Sequence, residues 1–218
     1  MRALITSNWH LDKSTAGLPR FDDVARSAER AAQLAVGLMC SWFIFLGDLT
    51  DPEPGAHRCV SFAIDLFRWL LAREIGVVVV GGNHDACEDS AATSAVDPIA
   101  AAARVVVGDF HVFTEPGHLE LGLGVHLVAL PHPHRGKPYD PSKWLNEQSQ
   151  EREIPWGEGE RSVLVAGHLE VDAYEVAEHF RGSEATVMPR GRPGRFPVDM
   201  ARALWGDRAV LVNGHYHR

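Results

Sequence analysis

The sequence is poor in cysteine and lacks an apolar run that predicts a membrane helix. Its three cysteines, Cys40, Cys59 and Cys87, form no CxxC pair, which argues against a disulfide framework and is compatible with a reducing cytoplasm. The uncharged stretch 31–47 is interrupted by polar residues and changes its period midway. We interpret it as a helix end followed by a buried strand, and we expect no membrane association.

Basic residues are also scarce. The 218 residues include 21 Lys and Arg against 29 Asp and Glu, for a formal net charge of −8. Because sequence-independent nucleic-acid affinity comes mainly from Lys and Arg, this balance does not by itself indicate a polyanion binder. The 12 histidines point instead to metal or proton chemistry. With 45% hydrophobic and 23% charged residues, the composition predicts a globular chain and excludes disordered, collagenous and coiled-coil classes.

The first 85 residues alternate between short apolar runs and helical patterns. Apolar runs at 2–6, 42–46 and 77–80 predict buried strands, and apolar positions at helical spacing predict helices within 21–39 and 60–71. The resulting β-α-β-α-β order implies parallel strands joined by helical crossovers, and therefore an α/β fold.

The rest of the chain is richer in predicted strands. Asp140 and Pro141 have the character of an N-cap and a first helical residue, which predicts a helix over 142–153. The segment 188–197 is rich in Gly, Pro and Arg and predicts an exposed loop. The expected strands are 104–107, 111–113, 125–130, 163–166 and 209–212. We see no linker, so a single domain over 1–218 is expected.

Polar residues of the metal-ligand type follow five of these strands immediately. In open α/β sheets ligands bind beyond the carboxyl ends of the strands, so these residues are expected to converge. Imidazole, carboxylate and amide oxygen suit divalent ions such as Mn²⁺, Fe²⁺ and Zn²⁺. The five motifs are Asn8-Trp9-His10, Gly47-Asp48, Gly82-Asn83-His84-Asp85, Gly167-His168 and Gly214-His215-Tyr216-His217.

This order resembles the calcineurin-like metallophosphoesterase superfamily. The family pattern is Asp-x-His, Gly-Asp, Gly-Asn-His-Asp or -Glu, a later His, and Gly-His-x-His, and the match extends from residue 8 to residue 217. The resemblance implies a two-sheet β-sandwich flanked by helices, an α-β-β-α four-layer fold. It also implies two divalent metal ions at the strand ends, with Mn²⁺ favoured and Fe²⁺ or Zn²⁺ as alternatives, and a metal-dependent phosphoesterase activity.

The resemblance also assigns roles to individual residues. His84 would stand over the scissile phosphate and protonate or stabilise the leaving oxygen, and Asp85 would orient His84. Asp48 would bridge the two metals and offset the repulsion between them. The remaining ligands would be Asn8, His10 and His217 for the first metal, and Asn83, His168 and His215 for the second.

The chain departs from the family pattern at Asn8, where an Asp is expected. An amide still offers one oxygen, but the site loses one negative charge. We therefore predict weaker occupancy of the first metal position and lower activity than with the carboxylate restored. Three interpretations remain open: a natural site that tolerates Asn, an inactivating substitution, and a non-catalytic metal-binding module.

The stretch from Ser7 to Leu11 is similar to the opening of SbcD-type DNA repair nucleases, which favours DNA as substrate. Cyclic-nucleotide phosphodiesterases of the same superfamily share the sequence of 47–51, so a small-molecule phosphodiesterase or phosphatase is the alternative. The resemblance further implies an SMC-like ATPase partner and a homodimer. Relatives usually continue beyond the last motif, so a minimal or a truncated domain is expected. The candidate substrate contacts are Trp9, His132, Tyr216, Arg192 and Arg195.

Overall fold

The computed structural model of the chain describes residues 1–51, 57–85, 95–133, 138–151, 162–171 and 195–215. The helices are α1 (Phe21–Gly37), α2 (His57–Leu71), α3 (Asp97–Ala103), α4 (Pro141–Glu151) and α5 (Val198–Trp205). The strands are β1 (Ala3–Thr6), β2 (Ser14–Thr15), β3 (Leu18–Pro19), β4 (Trp42–Leu46), β5 (Gly76–Val80), β6 (Phe110–Phe113), β7 (Gly117–Gly122), β8 (Val125–Leu130), β9 (Ser162–Gly167), β10 (Glu170–Val171), β11 (Arg195–Phe196) and β12 (Ala209–Asn213).

Two four-stranded sheets form the centre of the fold. The first has the order β1-β4-β5-β6 with all neighbours parallel. The second has the order β12-β9-β8-β7, in which only the β7–β8 pair is antiparallel. The β-α-β-α-β interpretation of the N-terminal part is therefore confirmed, and its helices α1 and α2 are the expected crossovers.

Alternate residues of each strand face different cores, because successive side chains of a strand point to opposite sides of the sheet. On the first sheet, Phe43 and Phe45 pack with α1, α2 and α3, whereas Ile44 and Leu46 face the second sheet. On the second sheet, Val128 and Leu130 pack with α4 and α5. The layers are thus helix, sheet, sheet and helix, which confirms the predicted α-β-β-α fold. Burial on both faces explains why β4 and β5 are continuous apolar runs.

Two predicted elements differ in the structure. The strand expected at 104–107 is wrong: α3 ends at Ala103, and Val105 and Val107 lie in irregular backbone with 82% and 95% of their surface exposed. These valines are β-branched but face solvent, so they gain nothing from a sheet. In the predicted loop 188–197, residues 195–196 form β11 instead, and 188–194 lie outside the described residues.

The predicted cap of the fourth helix is confirmed. The Asp140 carboxylate accepts hydrogen bonds from the backbone N–H groups of Ser142 and Lys143, at 2.9 and 3.0 Å, and α4 begins at Pro141. Residues 152–153 of the predicted helix lie outside the described residues. Within the described ranges, no helix has the length and apolarity needed to cross a bilayer.

Candidate metal centre

The loops after β1 and β4 continue the pairing of those strands and bring their polar residues together. Asn8 and His10 donate backbone hydrogen bonds to the carbonyls of Gly47 and Asp48, at 2.9 and 3.0 Å. Asn8, His10 and Asp48 all have positive φ, at 55°, 44° and 60°. Non-glycine residues seldom adopt this left-handed conformation, and it concentrates at functional sites.

Two glycines allow the strand ends to approach so closely. A Cβ at Gly47, whose φ is 76°, would lie 2.5 Å from Nδ1 of His168. A Cβ at Gly82 would overlap the backbone nitrogen and the carboxylate of Asp48. Any side chain at these two positions would therefore displace a candidate ligand.

His168 is held in one tautomer. Its Nδ1–H donates to the Leu46 carbonyl at 2.7 Å, since a carbonyl can only accept. Its Nε2 then faces Oδ2 of Asp48 at 3.0 Å, Oδ1 of Asn83 at 2.9 Å and Nδ1 of His215 at 3.2 Å. A second ring nitrogen fixed on a carbonyl is the usual support of a metal-binding histidine. Burial opposes a positive charge on His168, but the hydrogen bond and charge of Asp48 raise its pKa.

Asp48 lies between two histidines. Its Oδ1 accepts a hydrogen bond from the backbone N–H of His84 at 2.9 Å. Its Oδ2 lies 3.0 Å from Nε2 of His168 and 3.8 Å from Nε2 of His10. Burial opposes ionisation, yet the hydrogen bond and charge of His168 lower the pKa of Asp48 to about 2. The carboxylate is therefore ionised at neutral pH and is placed where it can reach an ion on either side.

The amide of Asn8 is oriented by its nitrogen. Its Nδ2 donates to the carbonyl of Gly214 and to Oγ of Ser7, the latter at 3.1 Å. Its Oδ1 is buried and accepts no hydrogen bond from the described residues. A buried acceptor without a donor is costly, and a cation would satisfy it. Oδ1 of Asn8 and the oxygen and nitrogen atoms around His168 are of the types that bind divalent metal ions. The residues of this site therefore fit such ions.

A second cluster was not predicted from the sequence. Oδ1 of Asp51 lies 2.7 Å from Nδ1 of His10 and 3.2 Å from Nδ1 of His84, and the two rings meet edge to face with centroids 5.0 Å apart. His10, Asp51 and His84 form one candidate ligand group, and Asp48, His168 and His215 form another. The sequence contains a feature that could have predicted this cluster, because Asp51 is the last residue of the Gly-Asp-Leu-Thr-Asp sequence after β4.

Asp85 lies in a different environment from the one expected. Its buried carboxylate accepts hydrogen bonds of 2.8 to 3.3 Å from the backbone N–H groups of Asp48, Leu49, Thr50 and Gly82. Burial, followed by repulsion from Asp48, raises the pKa of this carboxyl. These contacts tie the loop after β4 to the loop after β5. The ring of His84 has a contact with the carboxylate of Asp51, whose Oδ1 lies 3.2 Å from its Nδ1.

The candidate substrate contacts are only partly covered by the structure. The ring of His132 lies 6.4 Å from that of His215, and burial with repulsion from His168 and His215 lowers its pKa to about 4. Trp9 packs on Phe45 at 4.5 Å and is 7% exposed. Its ring therefore belongs to the core, and a substrate contact of Trp9 stays a prediction. Arg195 is half-buried on β11. Arg192, Tyr216 and His217 lie outside the described residues.

A two-sheet sandwich with ligands at the strand ends defines a class of metal-binding α/β proteins. The chain belongs to the calcineurin-like phosphoesterase family, whose sequence model matches residues 1–218. Members of that family are phosphoesterases.

Two solved structures are similar to the chain at low identity. The nuclease MPE of Pseudomonas putida is 22% identical with a TM-score of 0.39; the match covers 78% of this chain and 62% of that one. The protein TT1561 of Thermus thermophilus is 14% identical with a TM-score of 0.47; the match covers 80% of this chain and 70% of that one. The chain thus spans less than two thirds of the length of the nuclease. No curated protein matches it.

Proposed function

We propose that the chain hydrolyses phosphodiester bonds with two divalent metal ions at the strand ends. The observation that carries this proposal is the position of Asp48 Oδ2 between Nε2 of His10 and Nε2 of His168. A single ionised oxygen with a histidine on each side suits a bridging ligand, because it lowers the repulsion between two cations. The neutral amide oxygens of Asn8 and Asn83 add ligands without adding charge.

The ligands divide into two sets that share Asp48. Asn8, His10 and His217 complete the first set in our proposal, and Asn83, His168 and His215 complete the second. Divalent ions bound there supply Lewis acidity toward the phosphoester. The chain's own groups bind these ions, fix the tautomer of His168 through the Leu46 carbonyl, and keep the centre shielded from solvent on the sheet side.

We assign the proton transfer to His84. Its side chain is 20% exposed, whereas those of His10 and His168 are 4% and 0% exposed. It therefore lies at the open edge of the cluster, where a substrate oxygen can approach. A protonated imidazole at that position can deliver its proton to the departing oxygen, and such general acids contribute about 10²- to 10⁴-fold.

DNA is the substrate we favour, on the resemblance of 7–11 to SbcD-type nucleases. The net charge of −8 makes bound cations, rather than a basic surface, the source of attraction for phosphate. DNA affinity should accordingly be weak in chelator. The shared Gly-Asp-Leu-Thr-Asp sequence supports cyclic nucleotides as the alternative substrate.

A substrate panel tests the proposal. Linear DNA, cyclic nucleotides, bis-p-nitrophenyl phosphate and p-nitrophenyl phosphate are incubated with the protein in Mn²⁺, and with His84→Ala as the comparison. We expect Mn²⁺-dependent cleavage of diesters, with DNA cut faster than cyclic nucleotides. His84→Ala should lose about 10²-fold or more in turnover of DNA, whose leaving oxygen needs a proton, and less with the p-nitrophenyl esters, while its metal content stays unchanged. No turnover on any substrate would support the non-catalytic module instead.

Several finer assignments belong to the same proposal and rest on the resemblance and the composition. They are Mn²⁺ as the native metal, a role in DNA repair, a cytoplasmic location, a homodimer, an SMC-like ATPase partner and a single domain over 1–218. Elemental analysis of the purified protein tests the metal. Sedimentation of the protein alone, and then with a candidate ATPase, tests the assembly.

A further inference from the structure

A groove between the first two helices lies on the outer face of the first sheet. Its cavity has a volume of about 390 Å³. The α1 wall carries Glu29 and Gln33, which are one helical turn apart, and the α2 wall carries an apolar stripe with one acidic residue. The residues of the α2 wall are Phe62, Asp65, Leu66 and Trp69. We call this feature the α1–α2 groove, and none of its lining residues belongs to the candidate metal centre.

The apolar residues of the α2 wall are spaced as one stripe of a helix. Phe62, Leu66 and Trp69 stand at positions i, i+4 and i+7, so they align along one face of α2 over about two turns, or roughly 10 Å. Leu66 is 8% exposed, and the two aromatic residues are partly buried. An amphipathic helix that binds in a groove presents its own apolar residues at this spacing. The length and polarity of the wall therefore match about two turns of such a helix.

Both aromatic residues of the groove have contacts that hold their rings in place. The guanidinium of Arg73 lies 3.7 Å from the centroid of the Trp69 ring, and its Nη1 donates to the Trp69 carbonyl at 2.9 Å. At the other end, the ring of Phe62 meets that of Phe21 edge to face, with centroids 5.7 Å apart. Because ordering a side chain at an interface costs affinity, rings that are already held bind a partner more tightly. Tryptophan is also among the residues that most often dominate the binding energy of an interface.

The charges of the groove indicate which kind of helix fits. Glu29 on one wall and Asp65 on the other are acidic, and no lysine or arginine is among the described residues that line the groove. On α1, Arg26 is paired with Asp23. Arg68 approaches Asp65 only to 3.9 Å, and both side chains are more than half exposed, so this ion pair contributes little. A partner helix with Lys or Arg on both sides of its apolar stripe would place a cation beside each carboxylate.

We propose that the α1–α2 groove binds a basic amphipathic helix of a partner protein. The apolar residues of that helix pack against Phe62, Leu66 and Trp69. Its flanking Lys or Arg side chains pair with Glu29 and Asp65. The groove is separate from the metal ligands, so this contact leaves them uncovered, and the inference does not depend on the proposed function.

A display library of helical peptides about 15 residues long tests the proposal on the full chain. Selection uses the wild type, and counter-selection uses Trp69→Ala. We expect the enriched peptides to have apolar residues at helical spacing with Lys or Arg beside them. Synthetic copies then give dissociation constants by fluorescence anisotropy. Trp69→Ala should weaken binding about tenfold or more. The double variant Glu29→Gln, Asp65→Asn should weaken it about tenfold at low salt and less at high salt, because exposed charges are screened.

The charge variants keep the test independent of folding, since they alter only exposed carboxylates. Circular dichroism checks the fold of Trp69→Ala. Glu147→Gln is the matched control, because this carboxylate is exposed on α4 in the other helical layer, and it should bind every peptide as the wild type does. Enriched peptides without basic residues, or affinities that the groove variants leave unchanged, would overturn the proposal. A dimer of the chain that the double charge variant dissociates would overturn it in favour of a second copy as the occupant.

Discussion

At the scale of single residues, backbone carbonyls set the tautomer of His168 and the orientation of the Asn8 amide. The Leu46 carbonyl fixes Nδ1 of His168, and the Gly214 carbonyl fixes Nδ2 of Asn8. In both residues, the atom left over is one that can bind a cation. The amide nitrogen of Asn8 thus donates a hydrogen bond that the carboxylate of an aspartate could not donate.

Replacement of Asn8 by Asp should have two opposite effects. The added charge should tighten binding at the first metal position and raise diesterase activity at limiting Mn²⁺. In chelator, the variant should be less stable by about 1 kcal/mol or more, because a carboxylate cannot donate to the Gly214 carbonyl. Calorimetric Mn²⁺ titration and urea unfolding of the metal-free proteins measure the two effects.

The matched comparison for this variant is Asn8→Ala. It removes both the amide donor and the oxygen ligand, so it should lose stability and metal affinity together. Equal metal content and equal activity for wild type and Asn8→Asp would contradict the expectation that the missing charge matters.

At the scale of elements, the loops after β4 and β5 act as one unit because Asp85 joins them. Its carboxylate gathers N–H groups from both loops, and Gly47 and Gly82 let those loops touch. Asp48 and Asp51 project from the same joined segment. The geometry of both candidate ligand groups therefore depends on a residue that belongs to neither group.

Asp85→Asn should damage this unit severely. An amide has a single acceptor oxygen, and its NH₂ group would face backbone donors. We expect a loss of about 3 kcal/mol in the free energy of unfolding, since hydrogen bonds to a charged group are worth about 1.5–3 kcal/mol each. Urea unfolding in chelator measures it. His84→Ala, one residue away, is the control and should change stability by much less; equal losses would refute the loop-holding role.

The sequence predicted the elements whose burial is uniform. The runs at β4 and β5 are buried on both faces, and α1 has a regular apolar stripe, so pattern and structure agree. The strand β7 was missed because its partly exposed residues include Gly117 and Gly122 and give no clear pattern. Val105 and Val107 led to the prediction of a strand that the structure does not contain, since β-branched residues also occur on exposed turns.

The ligand types were predictable because each follows a strand, but the partners of the carboxylates were not. Asp51 and Asp85 both stand a few residues beyond a parallel strand. Which one meets His84 depends on the left-handed backbone at Asp48 and on the Asp12 contact with the Asp51 N–H. Such loop geometry has no periodic signal in the sequence.

At the scale of the whole molecule, the candidate centre joins the two sheets. Asp48 and Asn83 follow strands of the first sheet, whereas His168 and His215 follow strands of the second. Contacts such as Asn83 to His168, at 2.9 Å, cross from one sheet to the other. A cation bound here would hold both halves of the sandwich.

Metal binding should therefore stabilise the fold as a whole. At Mn²⁺ concentrations 100 times the dissociation constant, each site should add about 2.7 kcal/mol to the free energy of unfolding. Urea unfolding in Mn²⁺ and in chelator measures the difference. Asp48→Asn should show little stabilisation by Mn²⁺, because the ligand that both sites share has lost its charge. A chelator-insensitive midpoint in the wild type would argue that the ions are not held between the sheets.

The joining of both sheets at one centre also has a consequence for biosynthesis. Translation delivers β1, β4 and β5 well before β9 and β12, so a nascent chain can expose His10, Asp48 and Asn83 while His168 and His215 are still being made. A cation met at that stage finds only a fraction of its ligands and is held loosely. With the ligands that we propose, we expect selection among competing cellular metals to be deferred until His168, His215 and His217 have all been synthesised.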